Sequence, residues 1–115
     1  LIAQVKPQLH SVDVLALRAA TLRVHASDAL IGYVQELLAQ SRRQPGVKVG
    51  LSPRAGLALL RAARAQALIQ GRDHVVPDDV QALFSEIATH RLVPDGDDDS
   101  RDRLAKKILH AVAVD

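Results

Sequence analysis

VGLSPRAGLALLRAARAQALIQGR, residues 49–72, is the stretch on which the reading of this chain turns. Ser52 followed by Pro53 has the form of a helix start. A serine at the N-cap accepts one of the free backbone N–H groups, and proline at the first helical position has no N–H to leave unpaired. The Ala- and Leu-rich run that follows favours a helix, and Gly71 can take the left-handed conformation that closes one. Arg54 runs against this pattern. It stands in the first turn, where the helix dipole is positive and a cation costs about 0.3–1 kcal/mol. An arginine at a helix N-terminus suits an anion arriving from outside the domain, such as a phosphate. Taken by itself, a solvated surface arginine would account for it as well.

Two further arginines follow on the same helix. Arg61 is seven residues beyond Arg54 and so lies within about 20° of it around the axis. Arg64 falls about 60° further round, which makes a one-sided strip of cations. Such a strip is either a solvated face opposite the Leu/Ala stripe or a contact for an anion or an acidic neighbour.

Composition sets the frame around this helix. The 115 residues suffice for one domain with one core. The hydrophobic share is 48% but aromatics are only 2%, Tyr33 and Phe84, so the core must be Leu, Val, Ile and Ala, which suits close-packed helices. The first residue is Leu1, not Met, and the chain is read as a piece of a longer protein. No cysteine is present, which excludes disulfides and thiolate metal sites and fits a reducing cytoplasm. No apolar run approaches the roughly 20 residues needed to span a bilayer. A net charge of +2 is too small to argue for nucleic acid.

Taken in order, the chain reads as four to five helices. Leu1–Leu9 is a leading segment, with Pro7 set against a long helix. A short first helix begins at Ser11 and Asp13, with Val12, Leu15, Ala16, Ala19 and Ala20 as its apolar positions. Thr21–Ala26 is expected to be an extended connection, because β-branched residues alternate there. Ser27 and Asp28 cap a second helix carrying Leu30, Ile31, Val34, Leu37 and Leu38, which ends at Gln44-Pro45-Gly46. After the Ser52–Gly71 helix, Arg72–Val76 is a short extended link. Pro77, Asp78 and Asp79 open a fourth helix, with Val80, Leu83, Phe84, Ile87 and Ala88 as its buried stripe and His90, Arg91 and Leu92 at its end. Asp97, Asp98 and Asp99 lack the spacing and terminal glutamate of a calcium loop and read as a solvated turn. A last helix runs from about Arg101 to Ala111 and buries Leu104, Ile108 and Leu109.

No complete catalytic set emerges. The chain has no phosphate-binding GxxxxGK[ST] loop, no HExxH and no nucleophile elbow. Its five histidines, His10, His25, His74, His90 and His110, have no spacing that resembles a metal site, so each reads as a surface or interface residue.

The segments GLSPRAGLALLRAARAQALIQGRDHVVPDDV (Gly50–Val80) and HRL (His90–Leu92) resemble the C-terminal lid domain of MoxR-family AAA+ ATPases. YVQELLAQSRR (Tyr33–Arg43) resembles the family's tyrosine-bearing helix that ends in arginine, and ILHAVAVD (Ile108–Asp115) is similar to the end of that lid. The likeness runs from about Leu9 onward, and the combined pattern GxSPRA…AxxxGRxxVxPxDV is specific where a lone SPR is not.

The resemblance implies an all-α lid bundle over residues 11–115, with 1–10 as the linker from a nucleotide-binding core that this chain lacks. It implies that Arg54 is the sensor-2 arginine reaching the terminal phosphates of ATP, and that Ser52 and Pro53 hold the helix end that aims it. ATP and Mg²⁺ would be bound mainly by the missing core, and the fragment alone would be inactive. The whole protein would be an ATPase in a hexameric, chaperone-like, cytoplasmic ring. Its partners would be its own core, neighbouring subunits and a von Willebrand factor A-domain protein. His90 and Arg91 match the family pattern without an assigned role. Two alternatives remain at this stage. One is the lid of another AAA+ protein, such as magnesium chelatase or a replicative helicase. The other is a free-standing helical nucleic-acid module using Arg42, Arg54, Arg61 and Arg64, against which the low charge, the aspartate run and the scarcity of aromatics all count.

Overall fold

The computed structural model describes residues 11–96 and 100–114. Five helices carry the fold among them: α1 (Ser11–Leu22), α2 (Asp28–Arg43), α3 (Pro53–Ile69), α4 (Pro77–Arg91) and α5 (Arg101–Ala111). Two short strands, β1 (Val47–Val49) and β2 (Val93–Pro94), pair antiparallel. The expected all-α bundle is what forms.

Helix α4 is the hub, packed against α3, α5 and α2, whereas α1 leans on α3. Its stripe of Val80, Phe84 and Ala88 is wholly buried and meets Leu37 of α2, Leu59 and Ala63 of α3, and Leu104 and Ile108 of α5 in one core. Phe84 is the largest side chain fully inside. Aliphatic residues supply nearly everything else, as the composition requires. Small residues let the helices close up. Gly56 of α3 lies so near α2 that a Cβ added there would come within 2.5 Å of Leu38 Cδ1.

Serine caps start three helices: Ser27, Ser52 and Ser100 accept the backbone N–H groups of Leu30, Ala55 and Arg103 at 3.1, 3.2 and 3.1 Å. Helix α3 ends at Gly71, whose φ is +78°. The Gly71 N–H donates to Leu68 O at 3.0 Å and the Arg72 N–H to Ala67 O at 2.9 Å, so two carbonyls left over at the helix end find donors.

That closure delivers Arg72 to α4. Its guanidinium grips Asp79 with two bonds, Nη1 to Oδ2 at 2.7 Å and Nη2 to Oδ1 at 2.6 Å, and it also donates to Gln70 Oε1. Asp79 in turn accepts the Val76 N–H at 2.9 Å, which caps α4 where Val76 has no side-chain acceptor to offer. Asp79 therefore does more than sit near a positive dipole, since its carboxylate is buried. Burial pushes its pKa up, but the Arg72 bonds and the Val76 N–H outweigh that and hold it below the usual carboxylate range.

The link from α1 to α2 is shorter than the sequence implies. Thr21 and Leu22 belong to α1, not to an extended connection, because the Thr21 hydroxyl donates to Leu17 O at 2.9 Å and finishes a regular last turn. Only 23–26 leave the helix. There His25 forms a parallel bridge with His74: its N–H donates to Asp73 O at 2.8 Å, and its carbonyl accepts the Val75 N–H at 2.9 Å. Val24 and Val75, on either side, are buried, so the two connections close one end of the core.

The strand pair was not foreseen. Gln44-Pro45-Gly46-Val47 forms a turn closed by the Val47 N–H on Gln44 O at 3.1 Å, with proline second and Gly46 at φ +92° third, as a type II turn requires. It sends β1 back alongside β2, where Pro94 sits at a sheet edge that can spare its N–H. Asp97, Asp98, Asp99 and the leading segment 1–10 lie outside the described residues.

The junction between α2 and α3 is tighter still. Ser41, fully buried, donates to Leu38 O at 2.6 Å and accepts the Leu51 N–H at 2.8 Å. Arg42 Nε donates to Leu51 O at 3.3 Å. Gly50 lies flat on the α2 backbone: a Cβ there would stand 2.7 Å from Arg42 N and 2.8 Å from Arg42 Cα.

Two outcomes are expected from these contacts. Ser41→Ala strands a buried N–H and should lower unfolding free energy by about 1–3 kcal/mol, with Gly50→Ala costing a comparable amount because backbone cannot step aside; urea melts measure both. For Asp79, a folded-state pKa below its unfolded value gives stability that is full above the unfolded pKa, near 4, and is lost as pH falls through the folded value. Asp79→Asn should flatten that acid limb in melts taken below about pH 4, at the expense of lower stability at neutral pH.

Candidate functional site

The start of α3 is built from its neighbours inward. Ser52 has extended backbone, φ −80° and ψ 163°, and its carbonyl accepts the Gly56 N–H at 3.3 Å while its hydroxyl takes Ala55. Pro53 fixes the first helical position. Leu51, just before, is buried and tied on both sides of its peptide unit to α2 through Ser41 and Arg42. The backbone leading to Arg54 is thereby held against a second helix.

Arg54 itself is exposed, in the first turn, and its guanidinium has no hydrogen-bond or ion-pair partner among the described residues. No acidic residue stands in that first turn to offset it. The contrast with the neighbouring helices is clear: α2, α4 and α5 carry Asp28, the pair Asp78 and Asp79, and Asp102 at their starts. Helix α5 also opens on cations, Arg101 and Arg103, but sets Asp102 between them, so α3 alone among these four starts with a cation and no acid. The dipole and a planar two-pronged cation make the start of α3 suited to a phosphate.

The arginine strip divides. Arg61 is exposed and also lacks a partner among the described residues. Arg64 is half-buried, with its Nε enclosed and unpaired, so it is not part of an open cationic face. Arg42 is engaged with Leu51 O. His90 and Arg91 are exposed at the end of α4, where they border a shallow groove with Ala62, Leu83, Glu86 and Ile87. They lie on the α3–α4 side. Among the described residues no group of His, Asp or Glu is arranged to hold a metal.

Sequence reasoning singled out Ser52, Pro53 and Arg54 but overlooked Ser41 and Gly50, which hold them in place. The signal for Ser41 was present. It falls on the buried stripe of α2 at helical spacing from Leu30, Val34 and Leu37, and a serine on an apolar stripe needs a polar partner. Gly50 had no comparable signal, since a close backbone approach leaves no periodic trace.

A family model for the AAA lid domain matches residues 39–109, well over half of the chain. Chaperone MoxR1 of Mycobacterium tuberculosis is 32% identical over 96% of this chain and 33% of its own length. Protein YeaC of Bacillus subtilis is 36% identical over 80% of this chain and 29% of its own. A crystal structure of a provisionally assigned ATPase from Cytophaga hutchinsonii superposes with a TM-score of 0.84 at 28% identity, covering 90% of this chain and 35% of that one. The chain thus spans about a third of the length of the proteins it matches. Five helices in this order, the SPR start of α3 and these likenesses together place it: the chain belongs to the AAA lid domain family, as the lid of a MoxR-family AAA+ protein.

Proposed function

We propose that this lid closes over ATP held by a nucleotide-binding core elsewhere in a longer protein, and that Arg54 acts as the sensor-2 arginine on its terminal phosphates. The observation that carries this reading is the exposed, unpartnered Arg54 in the first turn of a helix with no acid to balance it. A cation there is a small liability to the folded domain, and an arriving phosphate reverses its sign. Ser52 and Pro53 set the helix end, and Ser41 fixes the loop behind it.

On this reading the chain offers the phosphate a guanidinium and a helix N-terminus, and Mg²⁺ is assigned to the core. Bound ATP supplies the phosphoryl group to be transferred. Arg54 grips its terminal phosphate through two N–H donors and stabilises the charge that builds there as the bond to the leaving oxygen lengthens. The sequence has no phosphate-binding GxxxxGK[ST] loop, so the chain by itself is expected not to hydrolyse ATP. Segment 1–10 is assigned as the linker to the core. The ring is taken to be hexameric, cytoplasmic and chaperone-like, working on client proteins with a von Willebrand factor A-domain partner. The sole aromatic residues, Tyr33 and Phe84, are buried, which leaves no platform for stacking bases and favours the nucleotide-lid reading over nucleic-acid binding.

The test is steady-state hydrolysis by the full-length protein. Arg54→Ala should lower kcat by about 10²–10³, the scale of one lost charge-stabilising donor, while the thermal melt of the protein stays put because the exposed side chain has no hydrogen-bond or ion-pair partner among the described residues. Arg54→Lys should recover only part of the rate, since an ammonium does not reproduce the two-pronged geometry. Hydrolysis at the wild-type rate in Arg54→Ala would remove the assignment.

A further inference from the structure

One surface is left over by the phosphate reading. On α3, Leu57, Arg61, Ala65 and Leu68 follow Arg54 at intervals of three or four residues and so share its side of the helix. At the far end of this line α1 lies across α3, and the two helices form an open groove floored by Leu17, Ala65 and Leu68. Leu22 and Ile69 stand at its lips, exposed at 70% and 40%, where a free-standing domain would cover side chains of that size. Arg18 on α1 and Arg61 on α3 flank it, and neither has a partner among the described residues. The groove begins about 10 Å along α3 from Arg54 and ends about 20 Å from it, at 1.5 Å per residue, so a phosphate held at Arg54 does not reach its floor.

We propose that this groove seats an apolar segment bearing carboxylates, contributed by the same polypeptide outside these 115 residues, with Arg18 and Arg61 as the cations that bracket it. The inference rests on the lid reading, and two observations select the occupant. The flanking charge is positive on both sides, which fits carboxylates and disfavours the leading segment 1–10, whose one formal side-chain charge is Lys6. The matched relatives are about three times as long as this chain, so a large covalently joined surface exists to cover the leucines, at the high effective concentration that tethering confers. One side of α3 then does two things, meeting phosphate at its first turn and protein along the rest.

Thiol labelling tests this directly, because this chain has no cysteine of its own. Leu22→Cys changes an exposed side chain, and its alkylation can be read by mass on the peptide that contains it. In the dilute, monomeric full-length protein the thiol should react about tenfold more slowly than in the 115-residue chain, as expected when the open form is about a tenth of the population. Adding Arg18→Glu with Arg61→Glu should restore most of the fast rate. Equal rates in the two proteins would overturn the proposal. So would slowing that appears only as protein concentration rises, which would make the cover a neighbouring copy, or slowing indifferent to charge reversal, which would take the carboxylates away. None of these readings depends on hydrolysis, so the role of Arg54 stands or falls separately.

Discussion

The bond from the Leu51 N–H to Ser41 Oγ holds the start of α3 in place. Without it the loop that precedes α3 would have a buried donor and no acceptor, and nothing else polar in the core stands ready to replace it. The bond works because Gly50 lets the loop lie on the α2 backbone, and because Ser41 spends its proton on Leu38 O, leaving its lone pairs for Leu51. A side chain at either position that filled the space differently would move the first turn of α3. Arg54 owes its orientation to α2 as much as to its own helix.

The other end of α3 is fixed by an independent set of contacts. Gly71 takes the left-handed turn that returns Arg72 to Asp79, and Asp79 caps α4 through Val76. The pair is partly open on the arginine side, and a bidentate geometry with a backbone N–H on the same carboxylate gives it more weight than a surface ion pair. The spacing GRxxVxPxDV is therefore a structural corner: glycine for the sign of φ, arginine and aspartate for the clasp, valines for the core, and proline for the first turn. Its residues are accounted for by that corner.

Helices were legible in the sequence wherever periodicity and caps agreed, as at Ser27, Ser52 and Pro77. The end of α1 was misplaced because β-branched Thr21 resembles a strand residue, while in the structure its hydroxyl bonds back to Leu17. The β1–β2 pair was invisible because two- and three-residue strands carry no alternation and depend on a partner more than forty positions away. At the site, Arg54 stood out because it broke a local electrostatic rule. Of the groups that support it, Ser41 left a trace as a polar residue on an apolar stripe, whereas Gly50 is revealed only by the packing of α2 on the loop. The arginine strip shows the same limit from the other side: angular position on a helix put Arg64 beside Arg61, but its Nε is enclosed while Arg61 is open.

With both ends tied and its middle packed through Ala55, Gly56, Leu59, Ala63 and Ala67, α3 has little freedom to tilt within the bundle. Small residues at a close helix crossing leave no slack for sliding: at Gly56 there is no room even for a Cβ against Leu38. If Arg54 is to approach and leave a phosphate, the motion must then belong to the whole domain, as a rigid body turning about a point outside α2–α5. Helix α1 leans on α3 and not on the hub α4, so it stands apart from the close-packed set. On the proposed reading, a lid built this way would turn a shift of the phosphate's position into a displacement of its surface, because α2–α5 offer no joint to absorb it.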